Sequence, residues 1–170
     1  MKDDTFASTP EAGAPPIAGE TAVTPAHRPS HIRAKWEAAH LFDTARPNGP
    51  AARLDGSGES AQTPPDALLS ALASCAGIDV VDYLGKRRTP ATSLAVDVQA
   101  DRRELHPRRF EHIRLRFEIG GPDIDRHHAE RAVRLAFERY CSVAASLAPD
   151  ITIEATVVLN GDDGAPMRLV

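Results

Sequence analysis

Residues 67–88 read ALLSALASCAGIDVVDYLGKRR, the most apolar stretch of the chain, with Cys75 at its centre. Its start is well marked. Thr63 is a good N-cap, Pro64 sits where a missing N–H costs nothing, and Asp66 completes a T-x-x-D variant of the capping box. The apolar run continues to Leu84, and Gly85 is expected to end the helix as a C′ glycine with cations just beyond it. The spacing therefore predicts a helix of about 20 residues, apolar on most of its circumference. A single domain of this size does not easily wrap such a helix, so a second copy of the chain is expected against it.

The order of elements around this helix follows from periodicity. Upstream, SHIRAKWEA alternates through Ile32, Ala34 and Trp36, and HLFDTAR, the turn PNGP and AARLDG follow at tight spacing. These read as an antiparallel meander. Downstream, SLAVDVQAD alternates Leu94, Val96, Val98 and Ala100 against polar positions, as a half-buried strand does. In FEHIRLRFEIGG, Ile113, Leu115, Phe117 and Ile119 share one face, and His112, Arg114, Arg116 and Glu118 share the other. A second helix starts near Asp123 or Asp125. Ala129, Ala132, Val133, Ala136, Phe137 and Tyr140 recur on one face of it, and that face runs on into CSVAASL, either as the same helix or as a separate short one. ITIEATVVLN is the last strand. The predicted order is β-β-β-α-β-β-α-β, an α+β domain.

The chain has 170 residues, enough for one domain with a sizeable core. Residues 1–29 hold five prolines among Ala, Thr and Ser. Such a segment buries too little apolar surface to offset its ordering entropy, and it reads as a disordered N-terminal tail before a domain at 30–170. The opening MKDDTFASTPEAGAPP lacks the basic and apolar regions of a secretory signal. The long helix carries Asp79 and Asp82, each costly near a bilayer centre. A cytoplasmic protein that does not enter the membrane is expected. Twenty Lys and Arg against 24 Asp and Glu give a net charge of −4, which offers no support for a general nucleic-acid binder.

Chemistry rests on two cysteines, Cys75 and Cys141. Cys75 lies about eleven residues into its helix, beyond reach of the N-terminal dipole that lowers a thiol pKa. Each cysteine is either a small buried hydrophobe or a reactive thiol. Both ride on buried helices of one small core, which must lie close together. A peroxidatic thiol needs such a neighbour, because its sulfenic acid condenses with a second thiol. His127 and His128 are adjacent, so they point about 100° apart on a helix and do not form an i, i+4 metal pair. No metal site and no cofactor are expected, and there is no Gly-rich phosphate loop or G-x-S-x-G elbow.

TPPDALLSALASCAGIDVVDYLGKRR and FERYCSVAASL resemble the two cysteine-bearing helices of the OsmC/Ohr family, the osmotically inducible and organic hydroperoxide resistance proteins. The resemblance runs from about Ile32 to Leu159 and includes RAKW, LDG and PRRFEHIRLRFEIGG. It implies an intertwined homodimer with active sites at the interface. It implies thiol-dependent reduction of organic hydroperoxides or hydrogen peroxide in oxidative-stress defence, with an external dithiol reductant such as a lipoyl group. By the resemblance, Cys75 matches the peroxidatic and Cys141 the resolving cysteine. Ser142 stands where many peroxidase members have proline, and Pro65 where the organic-hydroperoxide branch has glutamate. Asp66 matches an acid of the OsmC-like branch; nine residues of helix put it about 13 Å from Cys75, so as an activating residue it would hold an arginine or act across a subunit boundary. The family's activating arginine has no counterpart in WEAAHLF. Arg102 and Arg103, matching a pair of the OsmC-like branch, are candidates for it, as are Arg46 and Arg53, and His40 could line the site. The alternative reading is a non-enzymatic OsmC-like dimer that binds an apolar small molecule at the subunit interface.

Overall fold

The computed structural model describes residues 29–170, so the tail expected at 1–29 lies almost wholly outside the described residues. Ile32–Val170 form one compact unit. The chain opens with β1 (Arg33–Ala38), β2 (Leu41–Ala45) and β3 (Ala52–Asp55), which pair in sequence as an antiparallel meander. Every residue of β1 is exposed, Trp36 and the preceding Ile32 included, so this sheet is an arm rather than part of the core. It joins the rest at Asp55. The buried carboxylate there accepts from the N–H and hydroxyl of both Ser57 and Ser60, at 2.6–3.0 Å. Those bonds, led by the Ser57 hydroxyl, hold its pKa far below the ordinary carboxylate range.

Helix α1 spans Pro64–Lys86. The expected cap is present: the Thr63 hydroxyl accepts from the Asp66 N–H, and the Asp66 carboxylate accepts from the Thr63 N–H. Thr63→Ala should lower stability by about 1 kcal/mol, measurable as a shift in the urea midpoint with an unchanged slope. The other end differs from expectation. Gly85 stays inside the helix, Arg87 is the C-cap, and Arg88 takes the left-handed conformation at φ 62°. The Thr89 N–H reaches back to the Leu84 carbonyl at 3.1 Å. These closing hydrogen bonds, rather than the glycine's conformational freedom, end the helix.

Beyond α1, β4 (Ser93–Arg102) and β5 (Phe110–Gly120) form an antiparallel hairpin. Then come α2 (Arg126–Leu135), a π-helical turn (Ala136–Tyr140), α3 (Ser142–Ala145) and β6 (Thr152–Leu159). β6 lies parallel to β5, a pairing that needs the helical crossover between them. Two further strands of two residues each, β7 (Asp162–Asp163) and β8 (Met167–Arg168), pair with β6 and extend the expected order. Asp125 is the N-cap of α2, accepting from the His128 N–H at 2.8 Å.

One face of the larger sheet is buried, with Ile113, Leu115, Phe117 and Ile119 of β5 beside Ile153, Ala155 and Val157 of β6. Leu72, Ala76, Val80 and Leu84 of α1 and Ala129, Ala132 and Val133 of α2 cover it. The opposite face carries the charged residues of β5, among them Arg114 paired with Asp101 and Arg116 with Asp163. Within the single chain α1 is not buried all round. Leu68, Ile78 and Val81 are exposed, Ile78 at 63%. An open groove of about 670 Å³ runs beside them, lined in part by Ala73, Gly77, Leu94 and Val96.

Candidate active site

Cys75 lies midway along α1, half-buried, with Asp79 one turn further on. The segment that meets it comes from the crossover. After α2 the chain takes a π-helical turn in which the Cys141 N–H bonds to the Ala136 carbonyl at 2.8 Å, an i→i+5 link. The wider turn shifts the helical phase. Tyr140, expected on the apolar face, is consequently exposed, while Cys141 is buried at 3% exposure. Cys141 then serves as the N-cap of α3, its sulfur accepting from the Ala144 N–H at 3.4 Å.

This arrangement brings the start of α3 onto Cys75. The Cys75 Sγ lies 4.0 Å from the Ser142 Oγ. The Cys75 sulfur, the Cys141 sulfur and an Asp79 carboxylate oxygen all fall within 4.8 Å of one another. The Asp79 Oδ2 is buried and has no hydrogen-bond partner among the described residues.

The two thiols have opposite electrostatic settings. Burial opposes ionisation of Cys75, and the charge of Asp79 adds to that opposition. The Val143 N–H, the Cys141 thiol and the Ser142 hydroxyl outweigh both, and they hold Cys75 below the ordinary thiol range. Burial, with the neighbouring Cys75 adding to it, pushes Cys141 up to about 11 against the Ala144 N–H. Burial also raises Asp79, as does Asp82, while Lys86 partly compensates. Reaction of the reduced, EDTA-treated protein with iodoacetamide should therefore start at Cys75. Its pH midpoint should lie below that of the urea-unfolded chain, where both thiols titrate normally. With a pKa of about 11, only about one Cys141 in a thousand is ionised at pH 8, so its alkylation should lag by orders of magnitude. Peptide mass mapping across pH checks the order.

The candidate activating residues make their contacts elsewhere in the chain. Arg102 donates to the Arg108 carbonyl at 2.6 Å and sits over the Phe110 ring. Arg103 donates to the Leu105 and Pro107 carbonyls. Both serve the β4–β5 loop. Arg53 forms a two-pronged pair with Asp43 on the arm, and Arg46 opens the turn that its own carbonyl closes with the Gly49 N–H. Asp66 is engaged in the α1 cap. The His40 carbonyl accepts from the Gly56 N–H on the arm, and His128 is held by Asp125 and Arg87. Asp79 and the Val143 N–H are the members that sequence reasoning missed. The i, i+4 spacing of Cys75 and Asp79 was a usable signal. The Val143 N–H was not, because it depends on the π turn.

The OsmC-like protein family model matches residues 56–156, which hold both cysteines and the elements from α1 to α3 with the first part of β6. The Escherichia coli protein YhfA is 38% identical over 122 residues, 71% of this chain and 91% of YhfA. Among solved structures, an OsmC-like protein from Mycoplasma pneumoniae superposes with a TM-score of 0.69 at 18% identity, covering 78% of this chain and 97% of that one. An organic hydroperoxide resistance protein OsmC from Legionella pneumophila gives 0.57 at 13% identity, covering 77% and 98%. At those identities the two structures speak for the fold, while the family match and YhfA speak for descent. The chain belongs to the OsmC-like protein family.

Proposed function

We propose that this chain is a cytoplasmic thiol peroxidase that reduces organic hydroperoxides or hydrogen peroxide and acts as a homodimer. The observation that carries the reading is the pair of sulfurs within 4.8 Å, one held low by hydrogen-bond donors and the other held high by burial. The Cys75 thiolate attacks the outer oxygen of the hydroperoxide. An S–O bond forms, the O–O bond breaks, and the alkoxide leaves and takes a proton, giving an alcohol and a Cys75 sulfenic acid. The Cys141 sulfur then attacks Cys75, forming the disulfide and releasing water. An external dithiol, of lipoyl type in this reading, reduces the disulfide by exchange and leaves as its own disulfide. Disulfide closure must bring the sulfurs to about 2.05 Å, a movement of at most about 2.8 Å.

In this reading the start of α3 does what a guanidinium does in related sites. The Val143 N–H and the Ser142 hydroxyl supply donors to the thiolate. Ser142 at that position brings a hydroxyl that proline lacks. The fold shared with the Legionella pneumophila organic hydroperoxide resistance protein agrees with this chemistry.

A second reading is an OsmC-like dimer that binds an apolar small molecule without turnover. The apolar groove beside α1, and the engagement of Arg102, Arg103 and Arg53 with groups other than Cys75, favour it. One equivalent of cumene hydroperoxide separates the two. Loss of both free thiols without a cross-link between chains supports the peroxidase. Two intact thiols after an hour of exposure support the binding module.

A further inference from the structure

The geometry points to a second capacity of the same residues: a site for a zinc-like divalent cation, made by Cys75, Cys141 and Asp79. Neither the peroxidase nor the binding reading requires it. Its donors come from two elements. Cys75 and Asp79 project from successive turns of α1, and Cys141 comes from the junction of the π turn with α3. The three donor atoms lie within 4.8 Å of one another. Tetrahedral zinc, with bonds of about 2.3 Å to sulfur and 2.0–2.2 Å to oxygen, sets its donors roughly 3.5 Å apart. Each edge of the triangle then needs to close by at most about 1.3 Å, within the reach of side-chain torsions.

The charge balance argues the same way. Asp79, whose carboxylate lies beside the two thiols, has its Oδ2 buried without a hydrogen-bond partner among the described residues. Asp82 adds negative charge nearby, and Lys86 is the cation that acts on Asp79. A buried anionic group without a partner is costly, and a divalent cation removes that cost while binding both sulfurs as thiolates. Two sulfurs and one oxygen suit a borderline-soft ion such as zinc better than magnesium or calcium, which take oxygen ligands. Three protein ligands leave one tetrahedral position, on a site where Cys75 is half-buried rather than sealed.

The test uses the full chain, reduced, stripped with EDTA and kept free of oxygen and peroxide, titrated with Co²⁺ and then Zn²⁺. The expected result is one Co²⁺ per chain, with thiolate-to-cobalt charge-transfer absorption that Zn²⁺ abolishes. Cys75→Ser and Cys141→Ser should each lose most of that absorption. Asp79→Asn keeps the side-chain shape and should weaken Zn²⁺ binding by about tenfold or more, since even groups that only support ligands are worth that much. Circular dichroism establishes that each variant is folded. Absence of charge transfer in a chain whose two thiols are shown free by a chromogenic disulfide would overturn the site. Absorption that survives Cys141→Ser, or Zn²⁺ affinity unchanged in Asp79→Asn, would overturn it equally. Peroxide plays no part in the titration, so its outcome is independent of whether the chain is a peroxidase.

Discussion

Cys75→Ser should abolish peroxide reduction, while Cys141→Ser should still complete one turnover and stop. The asymmetry follows from the two environments. Against burial, its hydrogen-bond donors hold Cys75 below the ordinary thiol range, whereas burial raises Cys141 to about 11. Without Cys141, the oxidised Cys75 has no thiol to condense with in the chain, so it persists as a sulfenic acid. A dimedone-type probe should label it stoichiometrically, and a rapid-mixing experiment should show a single burst of hydroperoxide loss with no steady state. Steady turnover in Cys75→Ser, or labelling of Cys141 in the unmodified protein, would reverse the assignment. Asp79→Asn gives an internal check, because removing a nearby negative charge should lower the alkylation midpoint of Cys75.

The second large effect concerns the uncovered side of α1. The unmodified protein should run at twice its chain mass of 18.3 kDa at low micromolar concentration, and should not separate without unfolding. Ile78→Arg should break that assembly. Ile78 is exposed in one protomer beside Val81 and Leu68, along a groove that is mostly apolar. A buried, unpaired guanidinium at the centre of an apolar interface is destabilising by several kcal/mol. The exposed arm of β1–β3, with Trp36 and Phe42 outward, gives a second surface for the partner to cover. Sedimentation equilibrium reads the result. A monomeric mass for the unmodified chain, or an Ile78→Arg variant with unchanged mass and melting temperature, would remove the argument.

Much of this architecture could be read from periodicity. The alternation in β5 placed Ile113 to Ile119 on the core face, and the T-x-x-D pattern marked the start of α1 to the residue. Such features are local, set by the side-chain period and by one hydrogen-bonded turn. Two features resisted. The helix ran through Gly85 because the last hydrogen bonds, those of Arg88 and Thr89, are decided beyond the glycine. The π turn at Ala136–Tyr140 has no compositional mark, since it depends on how α2 seats against α1 and β6. At the candidate site both cysteines were legible as residue types, and their proximity followed from two helices sharing one core. The Val143 N–H donor to Cys75 was not, because a backbone N–H group leaves no trace in a sequence.

The positions of the two sulfurs along the chain have a thermodynamic consequence. A covalent link between Cys75 and Cys141 would enclose about 66 residues, and closing a loop of that size removes roughly 4 kcal/mol of freedom from the unfolded chain. The β4–β5 hairpin and α2 lie inside the loop, while the arm and β6 lie outside it. In that linked state the protein would resist heat and proteolysis better than in its dithiol state. Each cycle of oxidation and reduction would then alternate the same fold between a tethered and an untethered chain.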